Sequence, residues 1–205
     1  MNHSFTAEGF GIRHRPVRLD DAAFLVGLRN LEHAKGNVGD SASDVASQED
    51  WITTYFEREG DYYFVVETTC GIPVGAFGIY DVTGPSAEIG RWIIQPRVPA
   101  TLPGIIPGLD LAFGQLGLHE LRTRVVSTNR RVIKLDQHLG FKISGIEPAA
   151  MLIGGKSVDL VHMNMQSETW PIIRNGLLPA ALMQQVQLRK WEETAGILSH
   201  QSAQK

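Results

Sequence analysis

The chain has 205 residues, 43% hydrophobic and 20% charged, with a net charge of -3 and a single cysteine, Cys70. That much apolar sequence suffices for one domain with a substantial core, while the mild acidity provides no general field for nucleic acid or an anionic membrane surface. One cysteine excludes an intrachain disulfide, no run approaches the ~18 apolar residues of a membrane span, and the first residues lack the basic and apolar regions of a secretory signal, so a cytoplasmic protein is expected.

Residues 1–11 read as a polar lead-in. Ile12 and Val17 mark a short strand ending near Leu19 and Asp20, and Asp20 or Asp21 is placed to cap a helix through Phe24, Leu25 and Leu28 that closes at Leu28-Arg29-Asn30. The Gly- and Ser-rich connection from Gly36 to Ser43 has no hydrophobic period and is expected to be a mobile loop. Ser47-Gln48-Glu49-Asp50 has capping-box form before Trp51, Ile52, Tyr55 and Phe56, which share a helical face up to Gly60. Tyr62–Thr68, Val74–Tyr80 and Ala87–Ile94 are rich in β-branched and aromatic residues, and the turns at Cys70-Gly71-Ile72-Pro73 and Thr83-Gly84-Pro85-Ser86 make them consecutive antiparallel strands.

Pro96, Pro99, Pro103 and Pro107 then break the chain, so the next helix is expected from Leu109 to Leu116, stopping near Gly117. Leu121–Ser127 suits a buried strand. In the following stretch Val132, Ile133, Leu135 and Leu139 recur at helical spacing until Gly140 stops the helix. Lys142–Ile153 and Val158–Met165 flank Gly154-Gly155, a two-residue hairpin turn. Trp170–Lys190, interrupted by Gly176 and Pro179, reads as one or two amphipathic helices that either pack on the domain or form a homodimer contact, and residues 195–205 as a frayed end. This order is α+β, with one parallel crossover.

The run Asn129-Arg130-Arg131-Val132-Ile133-Lys134-Leu135-Asp136-Gln137-His138-Leu139-Gly140-Phe141, preceded by a valine-rich strand, resembles the acyl-CoA-dependent acetyltransferases of the GNAT superfamily, where a strand is followed by an Asn, a short helix and a closing Leu-Gly-Phe. The order of elements matches over residues 12–165. The resemblance implies a GNAT domain there, an α+β fold whose central, mixed, mostly antiparallel sheet is flanked by helices and contains a splayed parallel pair that admits the pantetheine arm of acetyl-CoA. Residues 166–194 would then be a C-terminal helical extension and 195–205 a flexible tail. Leu28-Arg29-Asn30, Gln48 with Trp51, Tyr63-Phe64-Val65-Val66 and Ala87-Glu88-Ile89-Gly90 look like the branch that acetylates amino groups on nucleotide-linked sugars of surface polysaccharides. Ribosomal-protein N-terminal acetyltransferases share much of this pattern.

In that family a glycine-rich loop and the helix after it offer backbone amides to the pyrophosphate. The corresponding region here, Gln95-Pro96-Arg97-Val98-Pro99-Ala100-Thr101-Leu102-Pro103-Gly104, lacks the motif, and each proline removes a donor. Ala100, Thr101, Leu102 and Gly104 are the amide candidates. Arg97, Arg130, Arg131 and Lys134 either bring charge to the phosphates or are solvated surface side chains. Asn129 is expected to meet the pantetheine arm, cap its helix, or both. Acetyl transfer to an amine also needs an oxyanion donor, for which the backbone of Ile93 or Ile94 is the candidate, and a base, for which Glu88 is the candidate, its alternative being a structural carboxylate.

Many relatives place a tyrosine proton donor where this chain has Asp136. An ionised Asp cannot donate, so a helix-surface role is expected of it. Arg29, Asn30 and His33 are candidates for contacting the acceptor, while His119 and His138 read as surface residues. No metal-ligand spacing, Gly-x-Ser-x-Gly elbow or Walker loop occurs, so no metal site is expected. The reading is an acetyl-CoA-dependent N-acyltransferase for a small-molecule amine, preferably a nucleotide-linked amino sugar. Its alternatives are a protein N-terminal acetyltransferase and a non-catalytic GNAT-fold binding protein, the latter motivated by the proline-rich loop and the missing tyrosine.

Overall fold

A computed structural model describes residues 3–31 and 44–202, with side chains as far as residue 194. The strands are β1 (Ala7–Gly9), β2 (Ile12–Pro16), β3 (Tyr62–Thr68), β4 (Pro73–Thr83), β5 (Ser86–Ile94), β6 (Glu120–Val126), β7 (Lys142–Ile153) and β8 (Lys156–Gln166), and the helices are α1 (Ala22–Arg29), α2 (Val45–Tyr55), α3 (Thr101–Asp110), α4 (Arg130–His138) and α5 (Trp170–Ser202). The strands make one sheet in the order β1-β2-β3-β4-β5-β6-β8-β7, antiparallel throughout except for the parallel pair β5 and β6. The lead-in expected at residues 1–11 thus contains an edge strand.

Alternation along the strands divides the core between the two faces. Tyr63, Val65, Ala76 and Ile93 pack with Leu25, Leu28, Ile52 and Tyr55 of α1 and α2. Phe64, Val66, Phe77, Ile79 and Ala87 pack on the other face with Ile105, Ile106 and Leu109 of α3, Leu139 after α4, and Leu177 and Leu188 of α5. His14 is fully buried on that second face, edge-on to Phe64 and Phe77, and burial lowers its imidazole from 6.5 to about 3, so it is neutral.

Three local expectations shift. Asp21 does not cap α1 with its side chain; its carboxylate receives both terminal nitrogens of Arg15 at 2.8 Å and the Arg18 amide at 2.7 Å. The cap of α2 is Asp44, accepting from the Ser47 amide at 2.9 Å, one turn before the expected capping box. The Gly36–Ser43 connection lies outside the described residues.

The third shift concerns the prolines. α3 begins at Thr101, eight residues before the expected helix, and includes Pro103 and Pro107. Pro103 falls in the first turn, where amides have no intrahelical acceptor, so it costs nothing there. Pro107 removes one interior bond, and the helix widens into a π-turn at Leu111–Gln115, closed by the Leu116 amide on the Leu111 carbonyl. Burial of the whole Leu102–Leu109 run offsets the loss. Gly104 and Gly108 permit the close packing, since a Cβ would meet the Trp92 ring at 2.7 Å in the first case and the Phe77 ring at 2.7 Å in the second.

Similarly, α5 is one helix straight through Gly176 and Pro179. Tertiary contacts hold it: Trp170 Nε1 and Arg174 Nε donate to Asp110 at 2.8 Å, while Leu177, Ala181 and Leu188 are buried. Among the described residues, no helix is long and apolar enough to cross a membrane. The Gly154-Gly155 hairpin forms as expected, both residues having positive φ.

Candidate active site

β5 and β6 pair over three positions, Ser86 with Glu120, Ala87 with Leu121 and Glu88 with Arg122, and then diverge. The divergence has a local cause in β5. Ala76 of β4 pairs with Ile93 while Gly78 pairs with Gly90, so β5 carries an extra residue at Arg91-Trp92, and Arg91 has φ 52°. Such a bulge bends its strand away from the neighbour. Beyond it the β6-facing edge of β5 has no strand partner, which leaves backbone groups open to an extended ligand.

The two oxyanion candidates face opposite ways. The Gln95 amide donates to the Val74 carbonyl at 2.8 Å, and a Cβ on Gly75 would run into the Ile93 carbonyl oxygen, so the backbone of Ile93 is turned toward β4. By strand alternation the amide and carbonyl of Ile94 face the open cleft.

In the loop that follows, the four amide candidates are not equivalent. The Ala100 amide donates to Val98 at 2.9 Å and the Gly104 amide to Ala100 at 2.9 Å, as an ordinary helical bond. The Leu102 amide donates to the side-chain oxygen of Gln184, which reaches from α5 at 3.0 Å. Thr101 alone of the four has an amide without a hydrogen bond among the described residues. Arg97 is exposed, with φ 67°. Across the cleft, Asn129 caps α4 through its oxygen, which accepts from the Val132 amide at 3.3 Å, and Arg130 and Arg131 are exposed in the first turn.

Asp136 departs most from the sequence expectation. It lies one helical turn beyond Val132 and on the same stripe as Asn129, and only 8% of it is exposed. Its Oδ2 has no hydrogen-bond partner, and burial raises its carboxyl from 3.8 to about 7. A carboxyl in this state is protonated for much of the neutral range and can donate. The expected helix-surface role does not hold, because the stripe carrying Asp136 packs inward.

Glu88 stands at the last paired position of β5, hence at the fork. Its Oε1 accepts from the Tyr80 hydroxyl at 2.9 Å, and Arg124 Nε lies 3.0 Å from Oε1 and 2.8 Å from Oε2. Burial first, then the Glu88 charge, holds the Tyr80 hydroxyl well above its usual range, so it stays a donor. A cleft of about 400 Å³ opens beside Glu88, lined also by Asp81, Arg122, Arg124, Ser144 and His162. A second, of about 550 Å³, lies between α1 and the end of β5, lined by Phe24, Leu28, Leu31, Pro96 and Arg97.

Arg29 is half-buried and lies over the Trp51 ring; Asn30 is the exposed C-cap of α1; His33 lies outside the described residues. Sequence reasoning passed over Arg122, Arg124, Tyr80 and Gln184. The two arginines had a signal, since they alternate with Leu121, Thr123 and Val125 and so share one sheet face. Gln184 had none, because it acts 82 residues away from Leu102.

A family model described as an acetyltransferase (GNAT) domain matches residues 12–142. No curated protein sequence matches the chain. Among solved structures, a mutant spermidine N-acetyltransferase SpeG from Vibrio cholerae is 21% identical with a TM-score of 0.68, covering 79% of this chain and 97% of that one. A GCN5-related N-acetyltransferase from Brucella melitensis is 18% identical with a TM-score of 0.75, covering 87% and 86%. The apo form of FdhC, a nucleotide-linked sugar GNAT, is 21% identical with a TM-score of 0.69, covering 88% and 98%. At these identities the three structures speak to the fold.

Proposed function

Because the chain belongs to the GNAT acetyltransferase family, we propose that it moves an acetyl group from acetyl-CoA to the amine of a small acceptor, preferably a nucleotide-linked amino sugar. The observation that carries this reading is the fork itself: β5 and β6 part immediately after Glu88, so a carboxylate and an open strand edge lie together. Acetyl-CoA supplies the thioester acyl group. The unpaired Ile94 edge suits its pantetheine arm, Asn129 flanks the same cleft, and the Thr101 amide with the Arg97 and Arg131 side chains is the set available to its phosphates.

A carboxylate offers about four lone-pair sites, and Tyr80 and Arg124 occupy most of those on Glu88, leaving room for one more donor. Glu88 therefore takes a proton from the acceptor ammonium, directly or through water. The freed amine attacks the thioester carbonyl, and the Ile94 amide donates to the developing oxyanion. As the C–S bond breaks, Asp136, protonated below about 7, donates to the departing sulfur, the second amine proton passing to solvent as the amide forms.

The charges lining the Glu88 cleft favour an acceptor bearing both an ammonium and an anionic group. Arg122 has no ion pair among the described residues, and Glu88 is already paired with Arg124, so a polycation would find Asp81 as its main counter-charge. The first test is a calorimetric or thermal-shift titration with acetyl-CoA; no binding at millimolar concentration would remove the enzymatic reading. Given binding, Glu88→Gln is expected to lower turnover about a hundredfold with acetyl-CoA affinity retained, and an unchanged rate removes Glu88 from the mechanism. An amine panel of nucleotide-linked amino sugars, polyamines and short peptides then identifies the acceptor.

A further inference from the structure

Three guanidinium groups surround one indole on the α1/α2 face. Arg29, at the end of α1, lies 5.8 Å from the centroid of the Trp51 ring, Arg58 5.1 Å and Arg91 5.3 Å. Trp51 is itself stacked on Tyr55, ring centroids 5.5 Å apart and planes 3° from parallel, which fixes the indole. Arg91 is also centred over the rings of Tyr63 at 5.2 Å and Tyr80 at 4.4 Å, and it forks onto Asp61, with Nη2 2.8 Å from Oδ2. Asp61 lies 3.7 Å from Arg58 as well. Arg29, by contrast, has no hydrogen bond or ion pair from its side chain among the described residues, although it is half-buried.

Asp61 already serves as counter-charge to Arg91 and Arg58, so of the three guanidiniums Arg29 is the one left to meet an anion, and its planar fork at the edge of a fixed indole suits the oxygens of a phosphoester. The cluster also connects to the fork. Tyr80 donates to Glu88 and carries Arg91 on its ring, and Arg91 lies over Trp51, so an unbroken line of contacts runs from Glu88 to the indole and Arg29. We propose that Trp51 with Arg29 and Arg58 forms a subsite for the phosphoester group of the acceptor, its amine lying at Glu88. This rests on the acceptor reading given above and names what recognises the acceptor's anionic end.

The phosphoester could instead belong to the cosubstrate, and the test separates the two. Uridine diphosphate and inorganic pyrophosphate are titrated calorimetrically into the protein with and without saturating CoA. Wild type is expected to bind both probes in either state, and Arg29→Gln to weaken them about tenfold, the loss of one charge-assisted contact. Arg29→Lys should recover part of the affinity, since charge without the fork remains. In turnover, Arg29→Gln should raise KM for a nucleotide-linked amino sugar and leave KM for the bare amino sugar and for acetyl-CoA unchanged. No uptake of either probe, uptake blocked by CoA, or equal affinity in Arg29→Gln overturns the subsite. If acetyl-CoA itself does not bind, the acetyl-transfer reading fails, while the titration of the unliganded protein still decides the subsite.

Discussion

Asp136→Asn is expected to reduce turnover about a hundredfold or more, in line with the loss of a general acid, and to remove the high-pH limb of the rate profile. In the wild type the donating form is the protonated carboxyl, present below about 7 and lost as pH rises through that value, so kcat should decline above neutrality. The variant should be slow and insensitive on that limb. A variant with wild-type turnover would reduce Asp136 to a buried acid with no part in the reaction.

The same residue has a consequence for stability with a definite sign. Its carboxyl is raised from 3.8 to about 7 in the folded chain, so the folded state holds this proton while the unfolded state releases it. Below pH 4 both states are protonated and the group is neutral to folding. Between pH 4 and 7 the unfolded state gains from ionisation, and the wild type loses stability as pH rises, levelling off once the folded carboxyl also ionises. A raise of roughly three units corresponds to at most ~4 kcal/mol. The difference in unfolding free energy between Asp136→Asn and the wild type should therefore grow in the variant's favour from pH 4 to 7, measured by denaturant titration. A pH-independent difference would contradict a raised carboxyl.

Asp61→Ala is the second large effect. Arg91 and Asp61 have side chains 18% and 9% exposed, and removing the carboxylate leaves a guanidinium largely out of water without its bidentate partner. Breaking such a pair from one side costs about 3–5 kcal/mol. Because Arg91 is the bulge residue with positive φ, the loss is expected at the fork too, as weaker acetyl-CoA binding alongside a lower unfolding midpoint. Asp61→Asn, which keeps one acceptor oxygen, should lose less. A loss below ~1 kcal/mol for Asp61→Ala would mean that water reaches the pair as readily as at an exposed bridge.

The elements read from sequence were those whose cause is local. β-Branched and aromatic content between turn signals gave Tyr62–Thr68 and Ala87–Ile94, Gly154-Gly155 gave the last hairpin, and the Asn129–Phe141 run gave a capped helix and the resemblance to its family. The prolines misled at α3, since Pro103 lies where the first turn needs no donor and the bond withheld by Pro107 is outweighed by burial against the sheet. At α5 the sequence left one or two helices open, and burial against α3 settles on one despite Pro179, a balance no local rule weighs.

The site divides along the same line. That Glu88 sits on a strand follows from the β-rich segment after the Thr83-Gly84-Pro85-Ser86 turn, and that Asn129 caps the helix after β6 follows from spacing, while the strand's place beside the fork was implied by the family resemblance. Which amides are open at the start of α3 was decided by tertiary structure, because Gln184 arrives from a helix 82 residues on to take the Leu102 donor. The chemical form of Asp136 was decided there as well. Its position in the run is written in the sequence, but a carboxyl's affinity for a proton depends on how much water the folded chain leaves around it, and only the packing of α4 against the sheet removes that water.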